Sequence, residues 1–141
     1  MTTPVTEAGI REKLARVREN VAGALERSGR GPDEVRILVA SKYYSAEQIG
    51  ALSAVGVDLV GENRAEDLVE KQERFGDAFE WHFIGHVQRR KAKIVAPRVG
   101  LIHSVDSAKL VEELERRAPE YVVEILFQVN VSVEESKYGV S

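Results

Sequence analysis

Cysteine is absent from this chain of 141 residues, which excludes disulfide bonds, thiolate metal sites and cysteine nucleophiles. Long apolar runs are absent too, since none approaches the roughly 20 residues that cross a bilayer. The N-terminal sequence lacks the basic and apolar regions of a secretory signal. We therefore expect a soluble protein of the cytoplasm.

A strong charge of either sign is also missing. The net charge is −3, with 43% hydrophobic and 30% charged residues, which is ordinary for one globular domain with a core. Such a balance gives no general attraction to nucleic acid or to anionic membranes. The densest basic cluster is "RRKAK" at 89–93, on a predicted helix with no interleaved aromatic residues. A solvated helix face is the favoured interpretation, and a nucleic-acid-binding module is the alternative.

The sequence also lacks the known loops for phosphate and the helical motifs for zinc. It has no G-x-x-x-x-G-K-[ST] and no G-x-G-x-x-G after its first predicted strand, which weakens nucleotide-binding hypotheses. His82 and His86 are four residues apart, but they lie on a strand or its end, where this spacing does not pair them. His103 has no obvious partner, so we expect no metal site.

The chain begins with a predicted amphipathic helix, within residues 1–30. Thr3 and Pro4 suit its cap and first position, and "SGRGPDE" at 28–34 ends it with two glycines and a proline. Apolar residues recur at three- and four-residue spacing, which places them on one face: Ile10, Leu14, Val17, Val21 and Leu25.

Five short apolar segments then alternate with helical patterns. Their starts are 20 to 23 residues apart, and the predicted strands cover 35–40, 57–61, 80–85, 100–105 and 121–131. The intervening helices include one opened by the capping-box pair Ser45 and Gln48, one at 87–96, and one at 107–118 capped by Asp106 or Ser107. Apolar strands alternating with helices predict a parallel sheet covered by helices.

Two α/β architectures agree with this alternation. An open, doubly wound parallel sheet of five strands needs no further chain. A (β/α)8 barrel typically needs about 250 residues, and five strands leave two unpaired edges. Because the sequence stops at "ESKYGVS", directly after a strand, the barrel interpretation predicts a fragment or a partner chain.

Polar residues follow each predicted strand, where ligands bind in parallel α/β folds. We therefore predict a polar pocket at this rim. The residues are Ser41 and Lys42; Glu62 and Asn63; His86 and Gln88; His103, Ser104 and Asp106; and Gln128 and Asn130.

Lys42 is the sharpest candidate at the rim. Partial desolvation there would lower the pKa of its amine, and a neutral amine forms Schiff bases with carbonyls. The alternative, favoured by spacing alone, is a lysine that extends to water. Asn63 suits either a ligand-orienting amide or, preferably, a helix cap. Tyr43 and Tyr44 suit either stacking on a flat ring or packing at the strand end.

Several motifs together resemble the pyridoxal phosphate homeostasis protein family. They are "VASK", "GEN", "WHFIGHVQRRK", "IHSVD" and "QVNVSVEESKYG", which cover nearly the whole chain in the family's order. The resemblance implies a (β/α)8 TIM barrel of the alanine racemase-like type, fold type III. Residues 1–141 would be a single domain and the N-terminal portion of that barrel. It would comprise a leading helix at 1–30 and about five of eight βα units at 35–131.

The resemblance also implies a cofactor and a role. Pyridoxal 5′-phosphate (PLP) would be bound as an aldimine to Lys42, in a carrier or buffer without turnover that serves vitamin B6 and amino-acid homeostasis. Asn63 matches a position near the cofactor, and His86, Asn130 and Ser132 match motif positions near the pocket. The expected partner is this small molecule, without nucleic acid or membrane. Family members are expected to be monomers, whereas a fragment could self-associate.

The sequence departs from the family pattern at several points. Tyr43, Tyr44 and Ser45 replace a common Thr-x-Pro, and Arg90 replaces an asparagine. Family members continue for three further βα units, whose Ser- and Gly-rich loops hold the phosphate. Two alternatives therefore stay open. One is a PLP enzyme of fold type III or a Schiff-base aldolase, which needs a second acid/base. The other is a truncated chain that binds nothing.

Overall fold

The computed structural model describes residues 5–117 and 120–141. In this part of the chain helices and strands alternate as predicted, with four short 3-10 turns between them. The helices are α1 Glu7–Arg27, α2 Gly50–Ala54, α3 Ala65–Phe75, α4 Ala92–Val95 and α5 Ala108–Arg117. The strands are β1 Val39–Ala40, β2 Leu59–Glu62, β3 Glu80–Phe83, β4 Leu101–Val105 and β5 Glu124–Phe127.

The five strands form one sheet in which every neighbouring pair is parallel. Their order is β1-β2-β3-β4-β5, the same as their order in the sequence. A doubly wound sheet reverses its strand order at a switch point, whereas a (β/α)8 barrel does not. The sheet is therefore an arc of a barrel, and the alternative of a doubly wound sheet is wrong. β1 and β5 form the two edges of the arc.

The strand register separates the two faces of the sheet. Because side chains alternate along a strand, paired residues of parallel neighbours share a face. Val60 pairs with Trp81, and Phe83 pairs with Ile102, on the face covered by the helices. Gly61 pairs with His82 on the opposite face, which is the concave face of a barrel. The core lies on the first face, and its largest fully buried apolar side chains are Ile49, Leu52, Val60, Leu68, Phe83, Val95, Ile102, Val105 and Leu110.

The helix α1 occurs as predicted, but its cap is a different residue. Thr6 Oγ1 accepts a hydrogen bond from Gly9 N at 3.1 Å, which satisfies one free N–H of the first turn. The predicted cap residues Thr3 and Pro4 lie outside the described residues. Leu14 and Leu25 are buried, whereas Val17 is 44% exposed. The apolar stripe of α1 is therefore only partly covered.

Several elements are shorter than predicted. The edge strands β1 and β5 occupy only parts of 35–40 and 121–131, because an edge strand pairs on one side alone. The predicted helix at 87–96 is a 3-10 turn at Arg89–Lys91, the four-residue α4 and another turn at Ala96–Arg98. Pro97 lacks an N–H and so prevents α4 from continuing. None of the described helices is long and apolar enough to cross a membrane.

The predicted capping box forms, but α2 begins only at Gly50, after a turn at 46–49, and its cap position Ile49 makes no side-chain hydrogen bond. Ser45 and Gln48 form the capping box: Gln48 N donates to Ser45 Oγ at 3.3 Å, and Ser45 N donates to Gln48 Oε1 at 3.0 Å. At α5, Ser107 Oγ accepts from Leu110 N at 3.2 Å. Of the two predicted caps, Ser107 is therefore the one that caps α5, which leaves Asp106 free for another contact.

Candidate functional site

Lys42 lies in a one-turn 3-10 helix, Ser41–Tyr43, directly after β1. Its side chain is exposed, and Nζ lies 5.0 Å from the centroid of the Tyr43 ring. The expected partial burial of this amine is not observed. Tyr43 is 78% exposed, whereas Tyr44 is half-buried and packs against the core. A small molecule can therefore reach the Lys42 amine from solvent.

A buried polar network lies under the turn that carries Lys42. Glu62 is fully buried, and Lys71 of α3 is only 3% exposed. Lys71 Nζ donates to Glu62 Oε1 at 2.5 Å and to the carbonyl oxygen of Ser41 at 2.9 Å. Ser41 Oγ lies 2.5 Å from the same Glu62 oxygen and 3.1 Å from Gly61 O. The residue that precedes Lys42 is thus held through both its hydroxyl and its carbonyl.

Sequence reasoning missed Lys71. The residue lies in a polar helix, and its partners are 9 and 30 residues away in the sequence. A local signal does exist, because Ala65, Leu68 and Lys71 are spaced by three and all are buried. A lysine on the apolar stripe of an amphipathic helix predicts a buried charge with a partner.

Asn63 follows β2 and does not cap α3. The cap position is Arg64, which makes no side-chain capping bond, and the helix begins at Ala65. The capping interpretation of Asn63 is therefore wrong. Within the described residues, Asn63 Oδ1 is buried and has no hydrogen-bond partner. A buried amide oxygen without a partner is costly, so a ligand donor at this position would be stabilised.

Asn63 lines a cavity of about 430 Å³ at the carboxyl ends of β2 and β3. This volume falls within the usual range for small-molecule sites. Cationic residues are prominent around it, and the lining includes Asn63, Arg64, Gly85, His86, Arg90, Lys91 and Tyr138. Lys42, Asn130 and Ser132 are not among the described lining residues.

His86 is held on two sides at the cavity wall. Its Nδ1 lies 3.1 Å from Asp106 Oδ2, and its ring stacks on Tyr138, with centroids 3.8 Å apart and planes 10° apart. Asp106 is available for this contact because Ser107, and not Asp106, caps α5. Tyr138 had no predicted role, because 52 residues separate it from its stacking partner.

Asn130 and Ser132 lie in the loop that brings Tyr138 to the cavity. Asn130 Nδ2 donates to Glu134 O at 2.9 Å, and its Oδ1 accepts from Glu134 N at 3.3 Å. Ser132 Oγ is 3.5 Å from the same Oδ1. The structure therefore groups these two predicted residues with the loop and groups Asn63 with His86 at the cavity.

A second polar row lies on the concave face. Arg36 bonds both carboxylate oxygens of Glu80, at 3.2 and 2.7 Å, and His82 Nε2 lies 3.0 Å from Glu80 Oε1. The Arg36 and His82 hydrogen bonds lower the pKa of Glu80 to about 2. His82 Nδ1 is 3.0 Å from His103 Nε2, and burial together with the nearby His82 lowers the pKa of His103. Among the described residues, no group of three or more His, Cys, Asp or Glu could hold a metal ion.

The basic cluster at 89–93 lies at the surface, as the solvated-face interpretation predicts. Arg89 and Arg90 are exposed, and Arg90 Nε donates to Gln88 Oε1 at 3.0 Å. Lys91 pairs with Glu66 of α3, and this hydrogen bond lowers the pKa of Glu66.

Curated relatives match most of this chain. The pyridoxal phosphate homeostasis protein of Aquifex aeolicus is 41% identical over 132 residues, which are 92% of this chain and 58% of that protein. The protein of the same name from Escherichia coli K12 is 33% identical over 93% of this chain and 58% of its own length. The chain thus spans less than two thirds of the length of these relatives. No protein-family model matches it.

Solved structures share the fold. A protein from Bifidobacterium adolescentis has a TM-score of 0.86 and 32% identity, over 99% of this chain and 63% of that one. PipY of Synechococcus elongatus, in a structure with bound PLP, has a TM-score of 0.74 and 31% identity over 94% of this chain and 58% of its own. The resemblance to pyridoxal phosphate homeostasis proteins and to their barrel is confirmed.

Proposed function

Starting from this similarity, we propose that the chain binds PLP covalently through Lys42. In this proposal it acts as a non-catalytic carrier or buffer of that aldehyde in vitamin B6 and amino-acid homeostasis. The observation that carries the proposal is the exposed Lys42 amine after β1 of a barrel arc, in a chain similar to PLP-bound PipY. PLP supplies an aldehyde that condenses reversibly with a primary amine, together with a flat ring and a phosphate dianion.

The cavity at the ends of β2 and β3, one strand away from Lys42, has polar groups that suit such a molecule. Ala40 pairs with Gly61, so Lys42 and Asn63 each lie two residues beyond paired positions, at the ends of adjacent strands. The unpartnered Asn63 Oδ1 accepts a donor of the ligand. Arg64 and Arg90 supply positive charge for the phosphate in the same lining. The residues present therefore fit PLP.

The remaining predicted residues support the wall of the pocket. His86 is oriented by Asp106 and Tyr138, and it presents a fixed polar ring to the cavity. Asn130 and Ser132 order the loop that holds Tyr138. We assign them a supporting role, whereas Lys42 and Asn63 are assigned direct contact.

A carrier role agrees better with this arrangement than turnover does. An amino-acid racemase needs an acid/base on each side of the reacting carbon. At the cavity wall, the His86 and Tyr138 rings stack on each other, and His86 also contacts Asp106. These groups are therefore committed to holding the wall. We further propose that residues 1–141 are one domain, the N-terminal portion of the barrel, in a monomeric cytoplasmic protein.

Borohydride trapping tests the proposal. The chain is incubated with PLP, reduced and analysed by intact mass and peptide mapping. We expect one dominant adduct, at Lys42, which Lys42→Ala abolishes. The matched control is Lys109→Ala, an exposed lysine of α5, which should keep the adduct. An equal adduct on Lys42→Ala would refute the proposal. Exchange of an amino-acid α-proton faster than with free PLP would establish an enzyme instead.

A further inference from the structure

The proposed function does not use the most deeply buried charges of this molecule, the carboxylate of Glu62 and the ammonium of Lys71. Glu62 Oε2 is buried without a described partner, so this pair is not an optimised stabilising contact. Replacing a buried ion pair with apolar residues is often neutral or stabilising. The contribution of this ion pair to stability therefore does not account for its presence, whereas its location in the structure does.

Both charges converge on Ser41, the residue before Lys42. The Ser41 carbonyl accepts from Lys71 Nζ at 2.9 Å and from Tyr44 N at 3.0 Å. The second of these bonds closes the single turn that contains Lys42. The Ser41 hydroxyl is anchored at the other side by Glu62. The turn is thus tied from below to the end of β2 and to α3.

A turn of this kind does not hold itself rigidly. It has only three residues, and its cap position makes no side-chain hydrogen bond. Lys42 and Tyr43 are exposed, so little packing restrains them from above. The buried network therefore restrains the Lys42 backbone from below, together with the sheet pairing of Ala40 and the packing of Tyr44 against the core.

We propose that Lys71 and Glu62 are positioning residues for the amine of Lys42. Their paired charges fix Ser41 and thereby the direction in which the Lys42 side chain leaves the rim. This inference rests on the proposed function, because it assigns Lys42 as the group that reacts with the aldehyde. Lys71 itself stays in its ion pair and does not contact the ligand.

The test uses the double variant Glu62→Gln/Lys71→Met, which removes both charges and keeps similar volumes. The matched control is Glu47→Gln/Arg74→Met, which removes an exposed pair that also joins α3 to the segment after β1. The readouts are the rate at which PLP labels Lys42, measured by borohydride trapping and peptide mapping from pH 6 to 9, and amide hydrogen exchange at Tyr44. Urea unfolding verifies that each variant is folded.

We expect labelling of Lys42 in the double variant to slow by about tenfold, since small misplacements of reacting groups cost up to about 100-fold. The amide of Tyr44 should exchange faster, and the control should stay within about twofold of the unmodified chain. Ser41→Ala, which removes a single hydroxyl, should shift both readouts in the same direction. It carries the test if the double variant does not fold.

Two results would overturn the positioning role. One is a folded double variant in which PLP labels Lys42 at the same rate as in the unmodified chain. The network would then have a structural role only, even if the amide of Tyr44 exchanges faster. The other is unchanged exchange at Tyr44. If the unmodified chain is not labelled selectively at Lys42, the proposed function fails by itself. Exchange at Tyr44 then decides whether the network holds the turn.

Discussion

Replacing Gly85 with alanine should strongly destabilise this chain. Gly85 follows β3 and lies against the backbone of Asn63. A Cβ atom at Gly85 would lie 2.3 Å from Asn63 O, 2.6 Å from its Cα and 2.8 Å from its carbonyl carbon. These neighbours are backbone atoms and cannot rotate away. The ends of β2 and β3 would therefore have to separate.

The cost follows from the size of this separation. The added Cβ atom and Asn63 O must move apart by about 1 Å to reach an ordinary van der Waals distance, and overpacking of this kind costs about 1–3 kcal/mol. The movement also stretches the bond from Ile84 N to Glu62 O, which is 2.9 Å long. Loss of one such bond costs about 1 kcal/mol. We expect the free energy of unfolding to fall by about 3 kcal/mol.

Gly76→Ala is the matched control. Its backbone is helical, with φ −52° and ψ −46°, and a Cβ atom there meets nothing within 4 Å. Alanine at such a position restricts the unfolded chain and should raise stability by about 0.4–1 kcal/mol. Urea unfolding followed by the fluorescence of Trp81, the one tryptophan in the sequence, measures both changes.

The two variants should thus move in opposite directions. A free energy of unfolding for Gly85→Ala within about 0.5 kcal/mol of the original, with the same urea dependence, would refute the reasoning. It would show that the rim beside Asn63 yields to an added methyl group. The inference that the cavity wall is closely packed at this position would then be wrong.

Three further predictions concern charge and stacking. Lys71→Met alone should lower the free energy of unfolding by about 3–5 kcal/mol, because it leaves a buried unpaired carboxylate, and adding Glu62→Gln should recover most of this loss in the same urea assay. Because the pKa of Glu80 is lowered to about 2, the ionised carboxylate stabilises the folded state fully above pH 4.5, and this contribution is lost as the pH falls toward 2. The melting temperature of Arg36→Met should therefore be lower than that of the unmodified chain at neutral pH, and it should fall less steeply as the pH decreases from 4.5 to 2. If the melting temperatures of the two proteins fall in parallel over this range, the reasoning is contradicted. Tyr138→Ala should speed hydrogen exchange in 128–141, while Tyr138→Phe keeps the stack and the protection; equal exchange in both would show that the ring does not hold the loop.

Much of the fold was predictable because it depends on local patterns. The 20- to 23-residue spacing of apolar segments predicted five strands joined by helices, and parallel strands carry their functional residues at one end. This polarity placed Lys42, Asn63 and His86 at one rim before any contact was known. The capping box at Ser45 and Gln48 was predictable for the same reason, since its partners are three residues apart.

The arrangement of the site depended on contacts between distant residues. Periodicity does not encode strand order, so only the pairing of β1 to β5 in sequence separated a barrel arc from a doubly wound sheet. Asn63 has the composition of a cap, and only the start of α3 at Ala65 left its oxygen unpartnered. Lys71 is buried, and Tyr138 stacks on His86, because the folded sheet brings segments together that are distant in the sequence. Local sequence therefore specified which residues stand at the rim, and tertiary packing decided which of them are held, paired or left open to a ligand.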